Sequence, residues 1–307
     1  MELATNVDCV KENRLARRYT RVRFYDRASR YLFLACAILM TVIIASIVIF
    51  VGKQGIQTFN EVSLGEFFSS TQWQPDAGKY GAFTFIFATF ALTGLTILLG
   101  GPLGLAGAVF MAKIAPGWLR ELLKPAIELF VGIPSIVYGL VGLTVVVPAI
   151  GEYLEPPGYG MLAAAIVLSI MILPTVLSVS EDALRSLPST LEEASYALGA
   201  TRWQTISRVL IPAAMPGIVT AIILGMARAI GETMAVLMVI GNSPLFPKSL
   251  TMPTTVLTTQ IILEMGHTPF GSTWNNALFL MALVLLIITL LLILLVRIAG
   301  RKGGMAQ

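Results

Sequence analysis

The sequence predicts an all-α polytopic membrane protein with six transmembrane helices, and three observations carry that prediction. Hydrophobic residues make up 56% of the 307 and charged residues only 12%, about half the charge of a soluble domain. Mean hydropathy is +0.82. Six runs of predominantly apolar residues follow one another along the chain, each able to cross a hydrocarbon layer about 30 Å thick. So few charges cannot coat a soluble surface of this size. An ordinary cytosolic enzyme, a disordered chain and a DNA-binding domain are excluded, and the long unbroken runs exclude the short alternating segments of a membrane barrel.

The first run, 32–51, follows a basic tail over 1–31. Its 20-residue apolar core exceeds the roughly 7–15 residues of a cleavable signal, so it reads as an anchor that stays in place. The second run, 82–112, is longer than a bilayer requires, and Gly100-Gly101-Pro102 interrupts it. A kink or break within one pass is expected there. The third, 126–150, carries Pro134-Ser135 in its middle, where Pro frees a backbone carbonyl and Ser135 offers a hydroxyl. The fourth, fifth and sixth cover 161–180, 212–240 and 276–296. The six helices form one domain over 32–300, with a short tail at 301–307.

Seventeen of the 21 Lys and Arg fall in the two tails, between the second and third runs, or between the fourth and fifth. The positive-inside rule then places both termini in the cytoplasm. Lys53, Lys79 and Lys248 fall on the other side, and Arg228 lies inside the fifth run. A net charge of +4 reflects loops facing anionic lipid, with no nucleic-acid partner implied. Two Cys, Cys9 and Cys36, and a single His, His267, leave no material for a disulfide scaffold or a His/Cys metal site, and make a Ser-His hydrolase site improbable. No metal or cofactor is expected.

The segment between the fourth and fifth runs encodes structure of its own. Ser189 followed by Glu192 has the spacing of a capping box, so a helix should begin there. Leu191, Ala194 and Leu198 share one face. Gly199 stops the helix by adopting positive φ, and Thr201 with Gln204 forms a second capping box before Pro212. A purely structural amphipathic hairpin would also fit. Glu193-Ala194-Ser195, three residues, Gly199, nine residues and Val209-Leu210-Ile211-Pro212 resembles the EAA loop of ABC-importer permeases, whose pattern is E-A-A, x3, G, x9, I-x-L-P. Ser195, Val209 and Ile211 are conservative departures. The resemblance implies a type I ABC-importer permease fold. It also implies that this short helix docks into a groove of a cytoplasmic ATPase, with Glu193, Ala194, Ser195, Gly199 and Pro212 as coupling residues.

The fifth run holds Arg228 and Glu232, four residues apart and so on one face of a continuous helix. Ionisable residues within a span are costly and point to function. An ion pair that merely packs helices is one reading. The other is an anion pathway in which Arg228 offers a planar, permanently charged fork to an oxyanion and Glu232 positions it. The stretch from Ala227 through Arg228, Gly231-Glu232-Thr233-Met234-Ala235-Val236 to Gly241-Asn242 resembles the PstC-type permeases of phosphate-specific importers. So do Ala115-Pro116-Gly117-Trp118-Leu119 and Ile133-Pro134-Ser135-Ile136-Val137-Tyr138-Gly139. That resemblance implies phosphate as substrate and a pathway through Arg228, Glu232, Thr233 and Ser135. The implied partners are two ATPase subunits, a second, PstA-like permease and an external phosphate-binding protein received by loops 52–81 and 241–275, all in a bacterial plasma membrane. The chain has no G-x-x-x-x-G-K-[S/T] phosphate loop, so a partner must hydrolyse ATP. A molybdate or sulfate permease and an ion-coupled secondary transporter are the competing readings, and an intramembrane enzyme would need more polar groups than Arg228 and Glu232.

Overall fold

A computed structural model describes the backbone of residues 2–304, and the side chains of residues 29–295 and Ile298. It divides into two compact units, 1–53 and 54–307. The first is the bulk of one helix, α1 (Glu2–Ile56), predominantly apolar on all sides from Leu32 to Val51, as a membrane-spanning helix must be. Seven of the eight basic residues of the N-terminal tail, and Arg297, Arg301 and Lys302, lie outside the described side chains.

The second unit begins with a 3-10 turn, Gln57–Asn60, then α2 (Leu64–Ser69). An antiparallel hairpin follows, β1 (Trp73–Gln74) and β2 (Lys79–Tyr80), with Trp73 opposite Tyr80. Helices α3 (Phe83–Val109), α4 (Gly117–Gly132), α5 (Ser135–Val141), α6 (Val147–Tyr153) and α7 (Met161–Arg185) come next. After them run α8 (Thr190–Ala197), α9 (Arg202–Thr205), α10 (Ile211–Gly231), α11 (Met234–Val239), α12 (Leu257–Met265) and α13 (Thr273–Gly304). Single π turns follow α3, join α5 to α6 and join α9 to α10. Among the described residues, six helical stretches are long and apolar enough to cross a membrane, as expected: Ser29–Asn60, Phe83–Ile114, Ser135–Tyr153, Met161–Arg185, Arg202–Gly231 and Thr273–Leu295.

Helix α7 is the most buried of them and packs against both α3 and α10. Lipid is as apolar as Leu, so close backbone approach rather than the hydrophobic effect must hold spans together. The small residues of α3 permit that approach. A Cβ added at Gly104 would lie 2.8 Å from Val176, and one at Gly100 would lie 3.1 Å from the carbonyl oxygen of Ser169. Ser169 Oγ donates across the same seam to Thr96 O (3.1 Å) and back to Ala165 O (2.6 Å). A second buried cluster joins the hairpin and α2 to α12 and α13 through Phe67, Trp73, Phe85, Leu257 and Leu278. A third gathers Met111, Leu184, Ile206 and Leu210 under α8.

Three local expectations are corrected. Of the kink or break expected at Gly100-Gly101-Pro102, the break does not occur: α3 is continuous through Pro102 within one pass, and the irregular turn falls later, at Phe110–Ile114. The third pass does not start at residue 126: α4 is a separate helix ending at Gly132, and Ile133 is extended at φ −67°, ψ 127°. Proline disfavours the helical conformation of the residue before it, so Pro134 ends α4 and caps α5. Ser135 therefore opens the third span instead of lying in its middle. The fifth pass is also not one helix to Ile240, because it stops at Gly231 and restarts at Met234. Pro212 interrupts nothing, since the π turn Ile206–Leu210 ahead of it leads straight into α10, whose first turn holds it.

Candidate functional site: a broken helix and a tight corner

The break at Glu232-Thr233 separates the two charges that the sequence puts on one helix face. Arg228 sits in the last turn of α10, and Glu232 lies just beyond it in extended conformation, φ −72°, ψ 132°. Glu232 Oε1 accepts from the backbone N–H of Ala235 in the first turn of α11 (3.2 Å). Its carbonyl accepts from Thr258 Oγ1 of α12 (3.0 Å). Each charge thus occupies the helix end whose dipole favours it, a cation at a C-terminus and an anion at an N-terminus. Among the described residues the ion pairs are Lys113–Glu192 and Arg185–Glu181, so Arg228 and Glu232 form none. Arg228 Nη1 instead donates to Thr175 Oγ1 of α7 (3.1 Å). The guanidinium is half-buried with no carboxylate to neutralise it.

The remaining predicted pathway residues surround this break unequally. Thr233 N-caps α11, and its hydroxyl donates only weakly, to Gly231 O at 3.4 Å. Ser135 makes no hydrogen bond to Arg228 or Glu232. Its position follows from packing: a Cβ on Gly139 would meet Ala235 Cα at 2.9 Å, and one on Gly142 would meet Val239 at 2.8 Å. Helices α5 and α11 therefore run in parallel, and Ser135, one turn before Gly139, stands level with the break. Tyr138, one turn further along α5, spans the α4–α5 break by donating to Phe130 O (2.8 Å). Glu128 falls on α4, beside a cavity of about 650 Å³ that it lines with Pro125, Gly132 and Pro134.

The second locus is the corner between α8 and α9. Gly199 has φ +80°, the left-handed value expected of it. Thr201 and Gln204 form their capping box, with Gln204 N to Thr201 Oγ1 at 3.3 Å and Thr201 N to Gln204 Oε1 at 2.9 Å. The box expected at Ser189 does not form. Ser189 is itself helical and its side chain caps nothing, because Glu192 turns away to pair with Lys113 at the end of the second pass. Arg202 donates to the carbonyl of the same Lys113. Ser195 is buried, and its hydroxyl meets Thr205 Oγ1 at 2.9 Å across the corner. The outward surface of α8 and the corner presents Glu193, Ala194, Tyr196, Ala197, Leu198 (90% exposed) and Trp203 (65% exposed). The face holding Leu191 and Ser195 is thus anchored to the bundle, while Ala194 and Leu198 point away from it.

Sequence reasoning missed Thr175, Thr258 and Lys113. Each is brought to its partner from a distant segment: Thr175 is 53 residues from Arg228, and Lys113 is 79 from Glu192. No local spacing announces such pairs.

Residues 104–302 match the family of binding-protein-dependent transport system inner membrane components. The chain is 52% identical over 273 residues to the probable ABC transporter permease protein YqgH of Bacillus subtilis (strain 168), covering 87% of this chain and 88% of that one. It is 37% identical over 254 residues to the phosphate transport system permease protein PstC of Xylella fastidiosa (strain Temecula1), covering 76% of each. A solved bacterial ABC transporter involved in import of the acidic polysaccharide alginate superposes with a TM-score of 0.60 at 18% identity, covering 91% of this chain and 99% of that chain. At that identity the likeness concerns the fold.

Proposed function

The chain belongs to the family of binding-protein-dependent transport system inner membrane components, and on that premise we propose that this ABC-importer permease carries inorganic phosphate into the cytoplasm. It is a transport subunit of the inner membrane rather than an enzyme. One observation carries the substrate reading: Arg228 stands at a helix break inside the bundle with a hydroxyl partner and, among the described residues, no carboxylate partner. An arginine within a span costs about 2.5–3.5 kcal/mol on insertion scales. A structural arginine would offset that with a counter-ion, whereas one reserved for an anion must leave its charge available. The guanidinium fork suits a tetrahedral oxyanion, which it can hold through two parallel N–H donors. Likeness to a phosphate permease supports the same choice.

Coupling follows from the helix that joins the two loci. From Arg202 to Gly231 the chain is one helical rod, so about 39 Å of helix separates the Gly199 corner from Arg228 at 1.5 Å per residue. An ATPase seated on Ala194, Ala197, Leu198 and Trp203 would grip an exposed apolar helix face, a helix-in-groove contact. Movement of that contact during nucleotide binding would pass directly along the rod to the break. Two ATPase subunits, a second permease and an external phosphate-binding protein complete the proposed assembly.

Radiolabelled phosphate uptake by Arg228→Gln in the assembled importer tests the substrate reading. Uptake is expected to fall to background with assembly intact, while Arg228→Lys, which keeps charge and loses the fork, should retain a fraction. Wild-type uptake by Arg228→Gln would make the arginine structural. Competing molybdate and sulfate in the same assay test the choice of anion. Orientation, with both termini cytoplasmic, is tested by cysteine labelling of intact cells. Positions 65 and 267, both exposed, should react from outside, and position 189 only after permeabilisation. Reaction at 189 in intact cells would invert the topology.

A further inference from the structure

We propose that Thr175 is a second substrate-contacting group of the pathway, aiming Arg228 and donating its own hydroxyl proton to the same oxyanion. The inference rests on the reading of Arg228 as the anion site and adds to it a residue from a different span.

The starting point is how hydroxyls behave in the other helices of this protein. Thr89, Thr93, Thr96, Thr144, Thr220 and Thr289 each donate to the carbonyl four residues earlier, at 2.7–3.1 Å. That back-bond satisfies the hydroxyl proton inside an apolar bundle and leaves it unavailable for anything else. Thr175 sits in the middle of α7, directly after Pro174, and among the described residues its hydroxyl donates to no carbonyl, its one partner being Arg228. Its Oγ1 accepts from Arg228 Nη1 at 3.1 Å, so the oxygen is used and the proton is free. A hydroxyl that accepts a hydrogen bond from a cation becomes a stronger donor, because the two bonds polarise one another.

The pair has the chemistry an oxyanion needs. The guanidinium contributes fixed positive charge and several N–H donors, and the hydroxyl contributes one O–H donor beside them. A phosphate oxygen held between them would receive donors from α10 and α7 together, two helices that pack against each other along the bundle. The contact with Thr175 also fixes the end of a long, flexible side chain, so less freedom is lost when the anion arrives. Carbonyls, by contrast, would repel it. Thr175 is half-buried rather than sealed, which leaves the group reachable.

The test uses the complete importer in proteoliposomes, with radiolabelled orthophosphate entry and ATP hydrolysis followed in the same vesicles. Thr175→Val keeps the side-chain shape and removes the hydroxyl. Phosphate carried per ATP hydrolysed is expected to fall about tenfold, the scale of a lost hydrogen bond to a charged group, while ATP hydrolysis stimulated by the binding protein persists. Thr175→Ser should restore the ratio to within about twofold. A residue that only packs helices would instead lower assembly and hydrolysis together. Should Thr175→Val fail to assemble, Thr175→Ala supplies the same readout without added bulk. A wild-type ratio in the variant lacking the hydroxyl, or a Ser variant as impaired as Val, overturns the proposal. Arg228→Gln run in parallel separates the two readings. If it transports normally, phosphate passage at Arg228 fails as an idea. If it is inactive while Thr175→Val is normal, only the role of Thr175 fails.

Discussion

The corner at Gly199 and the break at Glu232 are both places where a helix stops and another starts, after four residues at the corner and two at the break, yet they are built in different ways. At the corner the turn itself is made by backbone freedom and neutral groups, a glycine at φ +80°, a Thr–Gln capping box and a hydroxyl pair, while Lys113 ties the flanking helices to the bundle through Glu192 and Arg202. At the break it is made by charge and long-range bonds. Arg228 ends one helix, Glu232 holds the first turn of the next, and the two threonines that steady them come from α7 and α12. A turn fixed by local chemistry is rigid wherever it is placed, which suits a lever that must transmit force. A turn fixed by separated charges keeps those charges unspent, which suits a site that must meet an ion.

That contrast can be broken from either side. The larger effect at the corner is expected from Gly199→Val. A Cβ there meets nothing within 4 Å, so no clash arises and the whole penalty is conformational, about 1–2 kcal/mol for a left-handed residue. A β-branched side chain suffers it most. ATPase association measured by co-purification should fall several-fold while the protein inserts normally, and Gly199→Asn, which tolerates positive φ, should lose far less. Equal losses in the two variants would mean that side-chain bulk and not backbone strain governs the corner. The smallest effect is expected from Ser195→Ala. Thr205 Oγ1 keeps its bond to Thr201 O at 3.2 Å, so no buried group is orphaned and the cost should stay below about 1 kcal/mol in thermal unfolding. A large loss would show that the hydroxyl pair, not the glycine, sets the corner.

The same contrast explains what could be read without a structure. The six spans, the left-handed Gly199 and the Thr201–Gln204 box follow from apolar run length and residues three positions apart, so they were legible. Pro134 carried a readable warning that the third pass breaks before it, because the residue preceding a proline is pushed out of the helix. Apolar continuity on both sides of Ile133 outweighed that signal. The break after Gly231 had weaker marks, a glycine with a β-branched threonine two residues later. The i, i+4 spacing of Arg228 and Glu232 suggested pairing only on the premise of an unbroken helix. Glu192 shows the same failure in small, since its spacing from Ser189 suits a capping box while a lysine 79 residues away competes for the carboxylate and wins. Local patterns decide local geometry until a charged partner arrives from elsewhere in the fold.

Arg228 and Glu232 serve different helix ends and do not neutralise each other. Phosphate uptake by Arg228→Gln, Glu232→Gln and the double variant, in the same assembled importer, measures this directly. A Gln at 232 retains an oxygen to accept from Ala235, so the single Glu232→Gln variant should lose only about two- to threefold, a fraction of the loss from a fully orphaned helix end. Uptake by Arg228→Gln is expected at background, and the double variant is expected to stay there. Recovery of uptake in the double variant would contradict this, because only partners in a charge pair rescue one another when both charges are removed.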